Sequence, residues 1–213
     1  MRAFIYAGGE ICPENITEHP KGSDLCIAAD SGYKNAVKLG DRVDIFVGDY
    51  DSIEKLDIPN SIEKIELKTE KNTTDTQTAV EAAVRRGADE IVIIGGLSGR
   101  LDHTLSNLGI LTDIKNRGGR AVIADGFNRV RVIKNDSEII ARSGYKYFAV
   151  VAVDDVVKGV EIDGVKYPLK NAKITRNFQF AVSNEIVGNC AFVSVKKGTV
   201  YIVESNDRFP TVR

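Results

Sequence analysis

The pattern of apolar and polar positions changes character once along the chain, near residue 126. Before that point, predominantly apolar runs alternate with stretches whose apolar positions recur every three or four residues. The runs Leu25–Ala29, Val43–Val47, Glu90–Ile94 and Ala121–Ala124 predict buried strands, because a strand covered on both faces needs no polar alternation. The segment ending in the Gly8-Gly9 pair predicts the first strand, and the alternation of Ile62, Ile65 and Leu67 with Glu63, Lys64 and Glu66 predicts a weaker one. Asp75–Arg86 predicts a helix that buries Ala79, Val80, Ala83 and Val84 and stops at Gly87. Leu101–Arg117 predicts a second, with Leu101, Leu105, Leu108, Leu111 and Ile114 on one face and Gly118-Gly119 as its stop. Strands alternating with helices imply a parallel sheet wrapped by helices.

After Asp125-Gly126-Phe127-Asn128 the helical spacing ends. Val130–Ile133, Tyr145–Val153, Val157–Ile162, Val165–Leu169, Ala191–Val195 and Val200–Val203 are short strand-like runs. Turns at Asp163-Gly164 and Lys197-Gly198 punctuate them, at a spacing that suits a sandwich. The fold class expected is therefore α/β: an N-terminal Rossmann-like parallel sheet with flanking helices, followed by a C-terminal all-β sandwich. The domains expected are 1–128 and 129–213, with the boundary between Asn128 and Ser143.

Composition adds mainly exclusions. With 213 residues and 43% hydrophobic content, the chain has ample apolar side chains for one large core or two modest ones. A net charge of −1, with acids and bases interspersed, argues against a nucleic-acid or membrane surface. The apolar run before Gly8 is too short for a signal peptide or a membrane span. Cys12, Cys26 and Cys190 are odd in number and scattered, which suits a reduced cytoplasm, and His19 and His103 alone cannot form a multi-histidine metal site.

Candidate chemistry gathers where strands end. Gly48-Asp49-Tyr50-Asp51-Ser52 follows the Val43–Val47 run and sets two carboxylates two residues apart, roughly 6–7 Å at Cα in extended chain. Acids held that close repel unless a proton or cation settles them. Hard oxygens converging on one point suit Mg²⁺, which takes one or two carboxylates together with substrate phosphates. Asp30-Ser31-Gly32 ends another strand, and Lys71-Asn72-Thr73-Thr74-Asp75 leads into a helix. Asp30, Asp49, Asp51 and Asp75 should thus reach one sheet edge, the edge where open α/β sheets bind ligands; Asp75 also suits a helix first turn on dipole grounds alone. Gly95-Gly96-Leu97-Ser98-Gly99-Arg100 joins a strand to a helix start, an arrangement that can cradle phosphate, and Arg100 offers a planar fork of donors. A tight turn with a surface arginine would look the same locally, and no Walker A or GxGxxG pattern is present.

These blocks, taken in order with Gly99-Arg100-Leu101-Asp102-His103, resemble the thiamine pyrophosphokinase family in its bacterial branch. The likeness continues through Gly164–Leu169 and Val182-Ser183-Asn184-Glu185, so it spans nearly the whole chain. Asn72 stands where the family usually has Asp, and Ser31 and Ser98 replace common glycines. The resemblance implies transfer of the terminal diphosphate of ATP to the thiamine hydroxyl, giving thiamine diphosphate and AMP. It implies Mg²⁺ on Asp49, Asp51, Asp75 and Asp30. Arg100 would grip phosphate, and Asp102 would orient Arg100 or assist the hydroxyl. Asp30, Ser31, Gly32, Lys71, Thr74, Gly95, Gly96, Gly99, His103 and Asn128 would lie on the nucleotide side, with Ser183 and Asn184 on the aminopyrimidine and Tyr167 or Phe180 available for stacking. It further implies a cytoplasmic homodimer whose acceptor site lies at the subunit interface. A hydroxymethylpterin pyrophosphokinase, a DxD phosphatase and a non-catalytic thiamine or nucleotide sensor are the alternatives.

Overall fold

The computed structural model describes residues 1–49, 51, 55–67 and 73–207. The chain divides into two compact units, Met1–Gly126 and Phe127–Arg213. Lys71 and Asn72, with Tyr50 and Ser52 of the acidic motif, lie outside the described residues.

The first unit runs β1 (Arg2–Tyr6), β2 (Leu25–Ala29), α1 (Gly32–Leu39), β3 (Ile45–Gly48), β4 (Glu63–Glu66), α2 (Asp75–Arg85), β5 (Glu90–Ile94), α3 (Leu101–Asn116) and β6 (Arg120–Ala124). Its strands lie in the order β4-β3-β2-β1-β5-β6, every adjacent pair parallel. β1, β2 and β5 bury every residue after their first, which is why their sequences read as unbroken apolar runs. The chain steps outward from β1 to β4, then returns to the other side of β1 with β5. Right-handed crossovers running in opposite directions place α1 and α2 on opposite faces. Ala36 of α1 accordingly packs with Phe4, Tyr6, Phe46 and Ile94. The sheet is Rossmann-like, and its order reverses between β1 and β5.

α1 starts close against β1: a Cβ on Gly32 would come within 1.9 Å of the Tyr6 carbonyl oxygen, so no other residue fits there. α2 buries Ala79, Val80, Ala82 and Ala83, near to the expected face. α3 departs from expectation. Ile110, Leu111 and Ile114 are buried, yet Leu101 and Leu105 are 69% and 60% exposed, and the polar Asn107 is buried in the same helix. Leucine spacing marked the helix correctly but misassigned the inner face of its first two turns.

The second unit contains β7 (Asn128–Lys134), β8 (Ser137–Ala141), β9 (Tyr147–Ala152), β10 (Val156–Asp163), β11 (Leu169–Thr175), β12 (Cys190–Lys197) and β13 (Thr199–Ser205). β7, β13 and β9 form one antiparallel sheet and β11, β10, β12 and β8 another. They enclose a common apolar core that includes Phe148, Val150, Val160, Val193 and Ile202. The chain crosses between sheets at Asn135 and at Gly198, and these corners bond each other through the Asn135 side chain (2.7 Å) and backbone (3.1 Å). This is the expected sandwich, with one strand misplaced. Of the expected strand Val165–Leu169, Val165 forms an isolated bridge and only Leu169 enters a strand, as the start of β11, whereas β8 and β11 escaped the sequence pattern because each has a single fully buried residue, Ile140 or Ile174.

Glu204 on β13 is 2% exposed and accepts both arms of the Arg129 fork at 2.8 Å, Arg131 at 2.9 Å and the Ser143 hydroxyl at 2.8 Å. A carboxylate this buried persists only when paired and fully hydrogen-bonded.

Candidate functional site

A cleft of about 370 Å³ opens in the first unit where the loops after β1 and β5 meet, at the point where the strand order reverses. Ala7, Gly8 and Gly9 line one side; Gly96, Ser98, Gly99 and Arg100 line another. Asp30 and Ser31, after β2, and Thr74, Asp75 and Thr76, at the start of α2, complete the wall with His103 and Asn107 of α3. The starts of α1, α2 and α3 thus face one space. Their unpaired N–H groups and dipoles favour an anion there.

The glycine loop divides its donors between two uses. The Gly95 N–H is bonded to Ala124 O and the Gly96 N–H to Gly8 O, both at 2.8 Å. These two residues therefore form the stem of the loop, and Gly96 holds a left-handed backbone (φ +75°) that disfavours any side chain. The N–H groups of Ser98 and Gly99 meet no acceptor among the described residues and remain for a ligand. Arg100, the residue before α3, gives its helix no side-chain cap; its fork instead clasps Asp102, with Nε 3.1 Å from Oδ1. Hydrogen bonding to Arg100 holds the Asp102 carboxyl below the usual range, helped by the His103 N–H, and raises the guanidinium in turn. Both partners are exposed, so the pair contributes little and can open for a phosphate.

Of the carboxylates expected together, Asp30 and Asp75 share the cleft. Asp30 has a left-handed backbone (φ +49°), fixed by its N–H to Val47 O at 2.8 Å and by Tyr33 N–H to its own carbonyl at 3.1 Å. Such strain is held where surrounding structure over-determines it. Asp75 follows Thr74, whose hydroxyl caps α2 by accepting the Gln77 N–H at 3.1 Å. Asp49 follows neighbouring β3 and is half-buried, Asp51 is exposed, and neither lines the cleft. Among the described residues, no three Asp, Glu, His or Cys side chains converge as a metal cage. Gly32 and Gly95 lie buried beneath the cleft, and Asn128 begins β7 in the second unit. Sequence reading passed over Ala7–Gly9, Thr76 and Asn107. The Gly8-Gly9 pair was a usable signal; Asn107 gave none.

In the second unit, Ser183 is exposed with φ +54°, whereas Asn184 is only 3% exposed. The Asn184 Oδ1 accepts N–H groups from Tyr167 (2.9 Å) and Glu185 (3.0 Å), and its Nδ2 donates to Tyr167 O (2.8 Å). Its backbone pairs with Phe148 in both directions. This amide therefore grips the chain at Tyr167, whose ring is 60% exposed, and has at most one N–H left for a ligand. Phe180 is 45% exposed and sits beside Phe178, ring centres 6.1 Å apart.

Comparison with known proteins follows the same division. The thiamin pyrophosphokinase catalytic domain profile matches residues 17–123, inside the first unit, and the thiamin pyrophosphokinase vitamin B1 binding domain profile matches 135–200, inside the second. The chain is 28% identical over 217 residues to thiamine pyrophosphokinase of Bacillus subtilis (strain 168), covering 95% of this chain and 98% of that one. It is 23% identical over 191 residues to Thiamin pyrophosphokinase 1 of Caenorhabditis elegans, covering 84% and 78%. A crystal structure of the Bacillus subtilis thiamine pyrophosphokinase superposes with a TM-score of 0.87 at 25% identity, over 97% of this chain and 100% of that one.

Proposed function

The chain belongs to the thiamin pyrophosphokinase family and is an enzyme that transfers the diphosphate of ATP to thiamine; from that premise we propose how its residues divide the work. The first unit takes ATP and the second takes thiamine. The observation that carries this division is the cleft at the strand-order reversal, where three helix starts and the Ser98 and Gly99 N–H groups meet beside Arg100.

The thiamine hydroxyl oxygen attacks the β-phosphorus in line while the bond to AMP breaks, the hydroxyl proton leaves late to solvent or a phosphate oxygen, and negative charge gathers on the phosphoryl oxygens. Ser98 and Gly99 N–H groups and the N-terminus of α3 receive those oxygens. Arg100 exchanges Asp102 for phosphate, adding a two-pronged contact. Until phosphate binds, Asp102 keeps the guanidinium aimed along the first turn of α3. The donor set fits Mg²⁺, since two carboxylates, Asp30 and Asp75, share the cleft and this ion needs only one or two in addition to phosphates. Asp49 and Asp51, on the adjoining strand end, are the further candidates. When bound, the ion supplies positive charge opposite the phosphates. In the second unit, Ser183 and the ring of Tyr167 face the acceptor, and Asn184 holds Tyr167 in place.

A second copy of the chain covers exposed apolar side chains such as Leu101, Leu105, Val182 and Val187, and the homodimer completes the acceptor site. Three free cysteines suit a cytoplasmic setting, and no helix among the described residues is long and apolar enough to cross a membrane. The B1-binding match leaves a pterin substrate without support, and the catalytic-domain match does the same for a non-catalytic sensor. The purified protein, incubated with thiamine, ATP and Mg²⁺, is expected to yield thiamine diphosphate and AMP in equal amounts. Formation of ADP, or no product, would refute the reaction; sedimentation of a monomer at working concentration would refute the dimer.

A further inference from the structure

Both loops that meet in the cleft are held from beneath by buried asparagine amides. Asn35 on α1 is 8% exposed and donates to Ala7 O at 2.8 Å and to Gly9 O at 3.0 Å. Asn107, in the second turn of α3, is 4% exposed and donates to Gly96 O at 2.9 Å. Between them the loops bond directly, Gly96 N–H to Gly8 O at 2.8 Å and Glu10 N–H to the Ser98 hydroxyl at 2.7 Å. A continuous bracket thus runs from α1 through the first loop and the second loop to α3. Asn107 shares the buried side of α3 with Ile110, Leu111 and Ile114, where an apolar residue would pack but could not donate. The fit has no slack: a Cβ on Gly96 would lie 2.5 Å from Asn107 Nδ2, and one on Gly95 would lie 3.1 Å from Asn35 Nδ2.

We propose that Asn35 and Asn107 are positioning residues for diphosphate transfer, fixing the spacing of the two loops so that the Ser98 and Gly99 N–H groups meet the ATP phosphates. This rests on the reading that the cleft holds those phosphates. The amides act through the backbone carbonyls of Ala7, Gly9 and Gly96. A displacement of about 1 Å in such a frame is enough to lower a rate roughly a hundred-fold.

The test is steady-state kinetics and thermal melting of Asn107→Ala, Asn107→Asp, Gly96→Ala and the Asn107→Ala/Gly96→Ala double variant, beside wild type. Absence of wild-type turnover would refute the parent reading. With an active wild type, Asn107→Ala should raise the ATP KM and lower kcat, at least ten-fold in kcat/KM for ATP, while the thiamine KM stays within about two-fold. Asn107→Asp keeps the shape but turns a carboxylate toward the Gly96 carbonyl; protonated, it donates as the amide does. Burial raises the pKa of such a group. Its activity relative to wild type should therefore climb as pH falls from about 8 to 6, while the Asn107→Ala ratio stays flat. Gly96→Ala, which keeps the amide but displaces it, should do less harm in the Asn107→Ala background than alone, as expected for two groups acting through one contact. It also serves if the Asn107 variants fail to fold. ATP kinetics within two-fold of wild type in folded Asn107→Ala, or additive effects in the double variant, would overturn the proposal.

Discussion

Arg100 and Asp102 hold each other at the edge of the cleft through two hydrogen bonds, and both side chains are mostly exposed. Lysine at position 100 would keep the charge but lose the planar fork. Arg100→Lys is therefore expected to lower kcat/KM for ATP by roughly ten- to a thousand-fold, with an unchanged melting temperature because an exposed ion pair contributes little to folding. Unaltered kinetics would return Arg100 to the role of a surface residue. The acids allow a second test at this scale. Asp30→Asn and Asp75→Asn each remove one proposed ligand charge from a cleft that holds two. The Mg²⁺ concentration for half-maximal rate should rise at least about ten-fold, while the fold is as stable as wild type or slightly more so, since like charges are relieved. A variant that keeps the wild-type magnesium dependence would remove that residue from the ligand set. Residue identities at strand ends were legible in sequence; which acids share a cavity was not. Asp49 and Asp51 come after β3, one strand further from the reversal point than Asp30 after β2, and that offset follows from strand order alone.

At the scale of elements, periodicity located α2 and α3, passed over α1 (Gly32–Leu39), and placed faces less well. Leu101 and Leu105 are at the helical spacing of a buried face but are exposed, while the polar Asn107 is buried and donates to the Gly96 carbonyl of the loop above it. Hydrophobic spacing reports which residues are apolar, and cannot report what the rest of the fold sets against them. The segment between β10 and β11 shows the same limit. Val165–Leu169 reads as a strand, yet its middle is held by the Asn184 side chain in place of a ladder. Asn184→Ala leaves the half-buried N–H and C=O of Tyr167 without those partners, each at the low end of the roughly 1–3 kcal/mol that an unpaired buried group costs. A loss of about 2 kcal/mol, or a melting temperature lower by roughly 4–8 °C, is expected, together with a raised thiamine KM and an ATP KM within about two-fold. A variant that melts early with an unchanged thiamine KM would separate this clamp from the acceptor site.

For the whole molecule, the near-neutral charge says little about stability, because most of the ion pairs lie at the surface. Glu204 differs from these, held by two arginines and a serine at 2% exposure. Glu204→Gln keeps the volume but removes the carboxylate that both arms of Arg129 clasp, while Arg131 keeps Glu138 at 3.0 Å; breaking this largely buried pair is expected to cost about 3 kcal/mol. Urea unfolding followed by circular dichroism would measure it, the chain having no tryptophan. A loss below about 1 kcal/mol would show that the arginines find other partners or water. Nothing in the spacing of Arg129, Arg131 and Glu204 predicted the network, since Glu204 is brought opposite Arg129 by antiparallel pairing across a long sequence interval.

The sequence by itself determined most of the elements and their order, α1, β8 and β11 excepted: unbroken apolar runs for strands covered on both sides, three- and four-residue spacing for α2 and α3, and a change to short strands after Gly126. It also determined the chemical inventory at the strand ends and, through motifs in series, the family. These are local properties, set by neighbours in the chain. Only the tertiary structure decided that the strand order reverses between β1 and β5, so that Gly8-Gly9 faces the glycine loop across a cleft. It alone decided that Asp30 and Asp75 share that cleft, that Gly95 and Gly96 use their N–H groups on backbone, and that Asn107 and Asn184 turn their amides inward. Each of these is a pairing between residues far apart in sequence, and which partner a buried polar group finds depends on where the whole chain has placed the other.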